Sequence, residues 1–349
     1  MEEPPEGTLL HKLMFGVFKG DPDAADKRKL IAEACASAAT GYATKLRRPR
    51  AIVLLGESAE NGKSQILELA RSALPPSAVS AISASKLSDQ TFVVGLVNKL
   101  LNATDELSSA VAIAGDTFKR SITGEPMVGR DVYSKAVTFR PVAQHLYSVN
   151  ALPPFSGGLD RGVRRRLRVV QFNRVIPNEE RVEDIGRRIA QEEPDVLLTW
   201  IITAATRLIE QREFTAPPSS EAAMRSWLDH DPVISWANAR VEPPLAGSAG
   251  EIKSAVAHAK FKEWALAEGF KENDIPSVKG FVQRLHAHVP TIAVKHKKSG
   301  NWLAGLMILT LDRADDPDPG RPPLPWMPAQ QKEPATVVDL KSYATTTNR

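Results

Sequence analysis

AIVLLGESAENGKSQIL, residues 51–67, is the stretch that decides the fold. Its first five residues form a short, continuous apolar run, the pattern of a strand buried on both faces. GESAENG reads as a loop, and SQILELARSAL (64–74) has helical period. A strand, a glycine-bearing loop and a helix in that order are the context a Walker A phosphate loop demands. Backbone N–H groups of the loop and of the helix N-terminus would cradle phosphates. Gly56, Glu60, Asn61, Gly62, Lys63, Ser64 and Gln65 are the expected nucleotide contacts. Lys63 would reach the β- and γ-phosphates of ATP, and Ser64 would hold Mg²⁺. The spacing departs from the motif, which places four residues between its glycines: residues 57–61 separate Gly56 from Gly62. Either the loop carries one extra residue, or Glu57 takes the first glycine's place.

Working outward, the sequence supplies partners for such a loop. KLLNATDEL (99–107) is apolar and ends in Asp105 and Glu106. Acids at a strand's C-terminal tip would face the same crevice as the loop. Asp105 would bind Mg²⁺ through water, and Glu106 would polarise the attacking water as general base. HLYSVN (145–150) is a further strand candidate whose tip, Asn150, could touch the γ-phosphate or that water. Arg164, Arg165 and Arg166 precede the apolar run LRVVQF (167–172). Arginine stays charged and forks onto phosphate oxygens, so a run of three suits an arginine finger or a nucleic-acid contact. Strands alternating with helical segments predict an α/β fold with a mostly parallel sheet.

The flanks read differently. Residues 9–47 have helical spacing, and DVLLTWIITAATRLIEQ (195–211) is a strong helix. FTAPPSSE (214–221) looks like a boundary. Beyond it come helices near 250–267 and 277–288, then two short strands around the turn HKKSGN (296–301). Two helices and a basic-tipped hairpin fit a winged-helix-like module, with Lys297 and Lys298 at the wing tip as DNA contacts. Lys279 and Arg284 would lie on its recognition helix. Trp227, Trp236 and Trp264 suit a core better than base stacking. DDPDPGRPPLPW (315–326) opens a tail expected to be disordered. The expected division is 1–48 helical lead-in, 49–213 ATPase domain, 214–312 winged-helix-like domain and 313–349 tail.

The 349 residues suffice for two domains. A net charge of +4 is compatible with a polyanionic partner without demanding one. The single cysteine, Cys35, rules out an internal disulfide and a Cys-rich zinc site. No run approaches the roughly 20 apolar residues of a membrane span, and the acidic N-terminus lacks a signal pattern. A cytoplasmic protein is expected.

In this order the motifs resemble those of superfamily III helicases, above all the phage and plasmid primase-helicases related to the poxvirus nucleoside triphosphatase. GESAENGKS and NATDEL carry the phosphate loop and the Walker B acids. FKRSITGEPMVGRDVYSKAVTFRP (118–141) and LYSVNALPPFSGGLDRGVRRRLRVVQF (146–172) fit the following blocks, and residues 15–46 look like the family's lead-in. The resemblance implies an AAA+-like P-loop fold and ring assembly, usually hexameric. It also implies ATP-driven translocation on single-stranded DNA and action at forked DNA. It implies a hairpin into the ring channel, with its turn near Asp131–Lys135; Lys135 would contact DNA, with Tyr133 and Arg130 beside it. Lys119 and Arg120, just upstream, are further candidates for phosphate or DNA. In the family a bulky apolar residue precedes two arginines; Arg164 fills that place here, so the finger falls to Arg165 or Arg166. Relatives carry an upstream primase domain. This sequence starts too late to hold one, so the expectation is a truncated chain or a stand-alone motor, with a primase domain or protein as a candidate partner. The alternative function is an ATP-regulated replication initiator or loader without processive unwinding.

Overall fold

The computed structural model describes residues 3–105, 111–131, 135–156, 158–229, 231–244, 250–270, 272 and 275–310. Glu106, Tyr133 and the tail expected at 313–349 lie outside the described residues. The chain opens with helices α1 (Leu9–Val17) and α2 (Ala24–Thr40), then strand β1 (Ala51–Leu55) and helix α3 (Lys63–Ser72). Next come β2 (Val79–Ser80), α4 (Gln90–Val93), β3 (Leu101–Thr104), β4 (Ile113–Ala114) and α5 (Gly115–Thr123). Strands β5 (Met127–Gly129), β6 (Val137–Phe139), β7 (Gln144–Val149) and β8 (Phe155–Ser156) follow, then α6 (Arg161–Arg164) and β9 (Leu167–Gln171). Helices α7 (Ile185–Glu192) and α8 (Pro194–Gln211) complete the first half.

The sheet has the order β2-β3-β7-β1-β9, and every neighbouring pair is parallel. Alternate side chains point to opposite faces. Ile52 and Leu54 join a core with Leu30, Ile31, Ile66 and Trp200; Ala51 and Val53 join another with Phe118, Tyr147 and Val169. This double burial is why AIVLL is apolar without alternation. The lead-in belongs to the first of these cores, since Leu10, Leu13, Leu30 and Ile31 pack with β1 and α8. Its buried charges are tied down too. Lys27 donates to Asp21 at 2.7 Å and to the Gln171 carbonyl at 3.0 Å. Glu33, fully buried, accepts from Arg207 Nε at 3.0 Å and from the backbone and hydroxyl of Thr215 at 2.7 Å each.

The stretch 214–221 is not a loose connection. Phe214 is buried, Ser219 N donates to Asp23, and Ser220 Oγ donates to the Val169 carbonyl. Pro218 already begins α9 (Pro218–Asp229), which lies along β9 and buries Trp227 against Phe155. The proline-serine composition that suggests a boundary is also the chemistry of a helix start. Beyond it lie α10 (Pro232–Arg240), β10 (Val241–Glu242), β11 (Glu251–Lys253), α11 (Ser254–Ala267), α12 (Val278–His288), β12 (Ala293–Lys297), β13 (Gly300–Ala304) and β14 (Met307–Ile308). Three antiparallel strands, in the order β11-β13-β12, share a core with α10–α12. Trp236, Phe261 and Phe281 fill that core with edge and stacked contacts. No helix of the described residues is long and apolar enough to cross a membrane.

Candidate nucleotide site

The candidate phosphate loop, residues 56–62, joins β1 to α3. Gly56 N donates to the Val149 carbonyl at 3.1 Å, so Gly56 continues the ladder of β1 with β7. A Cβ there would stand 2.2 Å from Asn61 Nδ2, 3.0 Å from Lys63 Nζ and 3.1 Å from the Phe172 carbonyl. Only glycine fits. Within the loop Glu60 stands in the left-handed region, at φ 62. Gly62 caps α3 at φ 87, where a Cβ would meet Val17 Cγ1 at 2.5 Å. The loop is thus folded against α1 as well as against the sheet.

Lys63 is buried, and its ammonium donates to the Gly56 carbonyl at 2.7 Å and to Asn61 Oδ1 at 3.1 Å. Asn61 is itself held by a 2.7 Å bond from Nδ2 to the Ser58 carbonyl. A buried lysine satisfied by oxygens is the local state into which phosphate oxygens would enter as stronger acceptors.

Parallel pairing sets the rest of the site. Leu55 is level with Val149, and Thr104 with Tyr147, so Gly56, Asn150 and Asp105 leave the same sheet edge on adjacent strands. Asn150, Asp105 and Ser64 are exposed, and all three line one cleft of about 930 Å³ with the loop. Gln65 borders it too, but its side chain accepts from Gly186 N at 3.0 Å and is committed to α7.

Sequence reasoning missed the cleft's other wall. Leu13, Gly16 and Val17 of α1 face Ile176, Arg181 and Val182 across it, and Ser148 adds a hydroxyl. Arg181 forks onto Glu60 at 2.7 and 2.5 Å, and Ile176 N donates to the Glu60 carbonyl at 3.0 Å. Glu60 therefore clasps the segment after β9. Helical spacing marks Leu13 as part of a helix but not as part of a cleft, because the wall forms only after α1 and the segment after β9 meet.

The oxygen donors Ser64 and Asp105, one hydroxyl and one carboxylate, suit Mg²⁺, which takes few protein ligands and shares its shell with phosphates and water. Among the described residues no group of three or more His, Cys, Asp or Glu is placed to hold a metal by itself. Beneath the site, His145 is buried between Ser121 Oγ at 3.0 Å and Tyr147 OH at 2.8 Å. Burial pushes its pKa down to about 3, so it is neutral at neutral pH.

The arginine block divides. Arg166 is half-buried and donates to the Gly162 carbonyl at 2.9 Å, whereas Arg165 is exposed. Strands β5 and β6 pair antiparallel from Met127↔Phe139 to Gly129↔Val137, and Arg130 and Lys135 are exposed beyond their paired ends. Lys119 is engaged by Asp116 at 2.9 Å and Asp160 at 3.0 Å, and Arg120 donates to the Pro126 carbonyl, so both are occupied within the fold. In the C-terminal module Glu251 takes Lys295 and Lys297 on its two oxygens, leaving Lys298 exposed. Arg284 is half-buried, 3.4 Å from Asp231, and its chain lies against Gly158. On α12 it faces the interior, unlike Lys279, which is exposed.

A family model described as a family of unknown function, DUF5906, matches residues 54–166, from the phosphate loop to the last of the three arginines. No curated protein sequence matches the chain. The apo A-form structure of the NrS-1 C-terminal region aligns with a TM-score of 0.50 and 16% identity, over 87% of this chain and 76% of that one. A second apo structure of that region gives 0.50 and 15% over the same shares. The chain has the fold of that region. A JCV helicase structure aligns at a TM-score of 0.29 and 12% identity, over 62% of this chain and 64% of that one, too slight a likeness to carry an argument.

Proposed function

We propose that this chain is a nucleic-acid-stimulated ATP hydrolase and the motor of a replication helicase from a phage, prophage or plasmid, acting on single-stranded and forked DNA. One observation carries the reading. The Lys63 loop, Asp105 and Asn150 leave adjacent parallel strands at one edge and line one cleft that also has an apolar wall. That cleft suits a triphosphate at its polar end and a base against Leu13, Val17 and Ile176. An AAA+-like order, with β7 between the strands of loop and acid, supports it, because it sets Asn150 between Lys63 and Asp105.

In this reading Lys63 leaves its loop carbonyls for the β- and γ-phosphate oxygens. Ser64 and Asp105 would hold Mg²⁺, which neutralises charge developing on the transferred phosphoryl group. Asn150 orients the attacking water, and Glu106 takes its proton. Arg165 is the finger, since Arg166 is bonded internally to Gly162. It would reach the nucleotide of the next subunit in a ring, of six by the family resemblance. Lys135, with Tyr133 and Arg130, would follow the DNA backbone from the hairpin, a contact that needs charge but no base reading. The module of α10–α12 and its hairpin is read as winged-helix-like, with Lys297 and Lys298 as backbone contacts.

Lys63→Ala tests the core of the proposal: DNA-stimulated ATP hydrolysis is lost while the circular dichroism spectrum is unchanged. Retained hydrolysis sinks it. Strand displacement on a forked duplex separates a helicase from an initiator that uses ATP only to assemble.

A further inference from the structure

The edge of the sheet opposite the phosphate loop carries a second cavity of about 320 Å³, between the starts of β1 and β9 and helix α9. Arg50, Arg161, Arg164, Arg165 and Arg168 line it, with Glu221 the lone carboxylate among its lining residues. Ala51 is level with Leu167, so Arg50 and Arg168 stand at the N-terminal ends of neighbouring strands. A five-residue strand at ~3.3 Å per residue sets them roughly 17 Å from the phosphate loop.

Five arginines gather here against Glu221 in the lining and Glu213 and Glu33 further off, whose charges also act on Arg168. Arg168 is 6% exposed; its Nη1 donates to Glu221 at 3.0 Å, yet its Nε finds no partner among the described residues. The Arg164 Nε is likewise buried without one. Arg50 spends one donor on the Leu167 carbonyl at 2.8 Å. Burial first, and then the charge of Arg168, pull its pKa down to about 10. Glu221, with its side chain 64% exposed, is a weak counter-charge in water. Buried guanidinium donors are ordinarily paired, and an orphaned one calls for an explanation. A planar fork of donors matches phosphate oxygens in number and geometry.

We infer that this cavity is a second anion site, shaped for the phosphate or pyrophosphate group of a small phosphorylated molecule. A tetrahedral dianion takes several convergent guanidinium groups at once, which one carboxylate cannot do. Arg50 and Arg168 form its recessed part and Arg164 a side. The site is separate from the phosphate loop and does not depend on how that loop is used.

The test is isothermal titration calorimetry of full-length Lys63→Ala protein at constant ionic strength, with phosphate, pyrophosphate and ATP in turn. Saturable pyrophosphate binding is expected to survive loss of the loop lysine. Adding Arg50→Gln should weaken it at least roughly tenfold, as loss of a charge-assisted bond does. Arg164→Gln, which removes no bond to the backbone, should do the same where Arg50→Gln harms folding. ATP binding more tightly than pyrophosphate names a nucleotide's phosphate tail as the source; equal affinity names the bare oxyanion. No pyrophosphate heat in Lys63→Ala, or heat unchanged by both arginine variants, overturns the inference. Single-stranded oligonucleotide binding that Arg164→Gln weakens, without any pyrophosphate heat, also overturns it and assigns the cavity to a nucleic-acid backbone.

Discussion

Gly62→Ala probes whether the phosphate loop is moulded by the lead-in helix or only by its own sequence. Two costs add at this position. Alanine at φ 87 is in a region disfavoured for L-residues by about 1–2 kcal/mol. Its Cβ would also lie 2.5 Å from Val17 Cγ1, and overpacking of that kind costs about 1–3 kcal/mol. The sum is about 3 kcal/mol. Val17 is fully buried, so Val17→Ala alone should cost about 2 kcal/mol, from two lost methyl groups and the cavity they leave. In the double variant the overlap is gone and only the backbone strain and the lost methyl groups remain, about 3.5 kcal/mol. The two changes should therefore fall short of additivity by roughly 1.5 kcal/mol. Urea unfolding of the four proteins, followed by circular dichroism, measures this cycle. A fluorescent ATP analogue should bind Gly62→Ala weakly and recover in part in the double variant. Additivity within about 0.5 kcal/mol would refute the claim that α1 shapes the loop.

Four further outcomes are expected. Glu33→Ala leaves Arg207 without its buried partner and should cost about 3–5 kcal/mol in thermal unfolding, whereas an exposed control such as Glu192→Ala should leave the melting temperature nearly unchanged. His145 has its folded pKa depressed to about 3, so between the unfolded value of 6.5 and about 3 only the unfolded chain takes the proton. Stability is then present above pH 6.5 and falls by up to about 1.4 kcal/mol per unit as pH drops through that window, and His145→Gln should flatten this slope. Glu251→Gln should strengthen DNA binding and steepen its salt dependence, because it releases Lys295 and Lys297; unchanged binding in a fluorescence anisotropy titration removes the hairpin from the DNA surface. Arg181→Ala frees the Glu60 clasp and should weaken nucleotide binding with little effect on the melting temperature, since the pair is partly exposed.

Much of the α/β half is legible because its signals are local. AIVLL, HLYSVN and LRVVQF lie at or within two residues of β1, β7 and β9; AIVLL is wholly apolar because both its faces are buried, whereas β7 and β9 also bury Gln144, His145, Ser148 and Arg168 among apolar neighbours. Gly62, at φ 87 before Lys63, stands where a Cβ would crowd Val17, so it could be recognised as a turn residue before its neighbours were known. The stretch 214–221 misleads for the converse reason. Proline and serine signal a break in one context and a helix start in another, and the bonds to Val169 and Asp23 that choose between them come from far along the chain.

The sequence by itself determined the strand, loop and helix around Lys63 and the order of the acid, asparagine and arginine blocks, because each is specified by neighbours within a few residues. Only the tertiary structure decided that Glu60 of the loop is held by Arg181 from 121 positions away. It also decided that α1 supplies a wall of the cleft, that Arg166 turns inward while Arg165 does not, and that Arg50 and Arg168 meet at the far edge of the sheet. Those facts depend on strand register and on which buried groups find partners, and neither is written in the periodicity of any one segment.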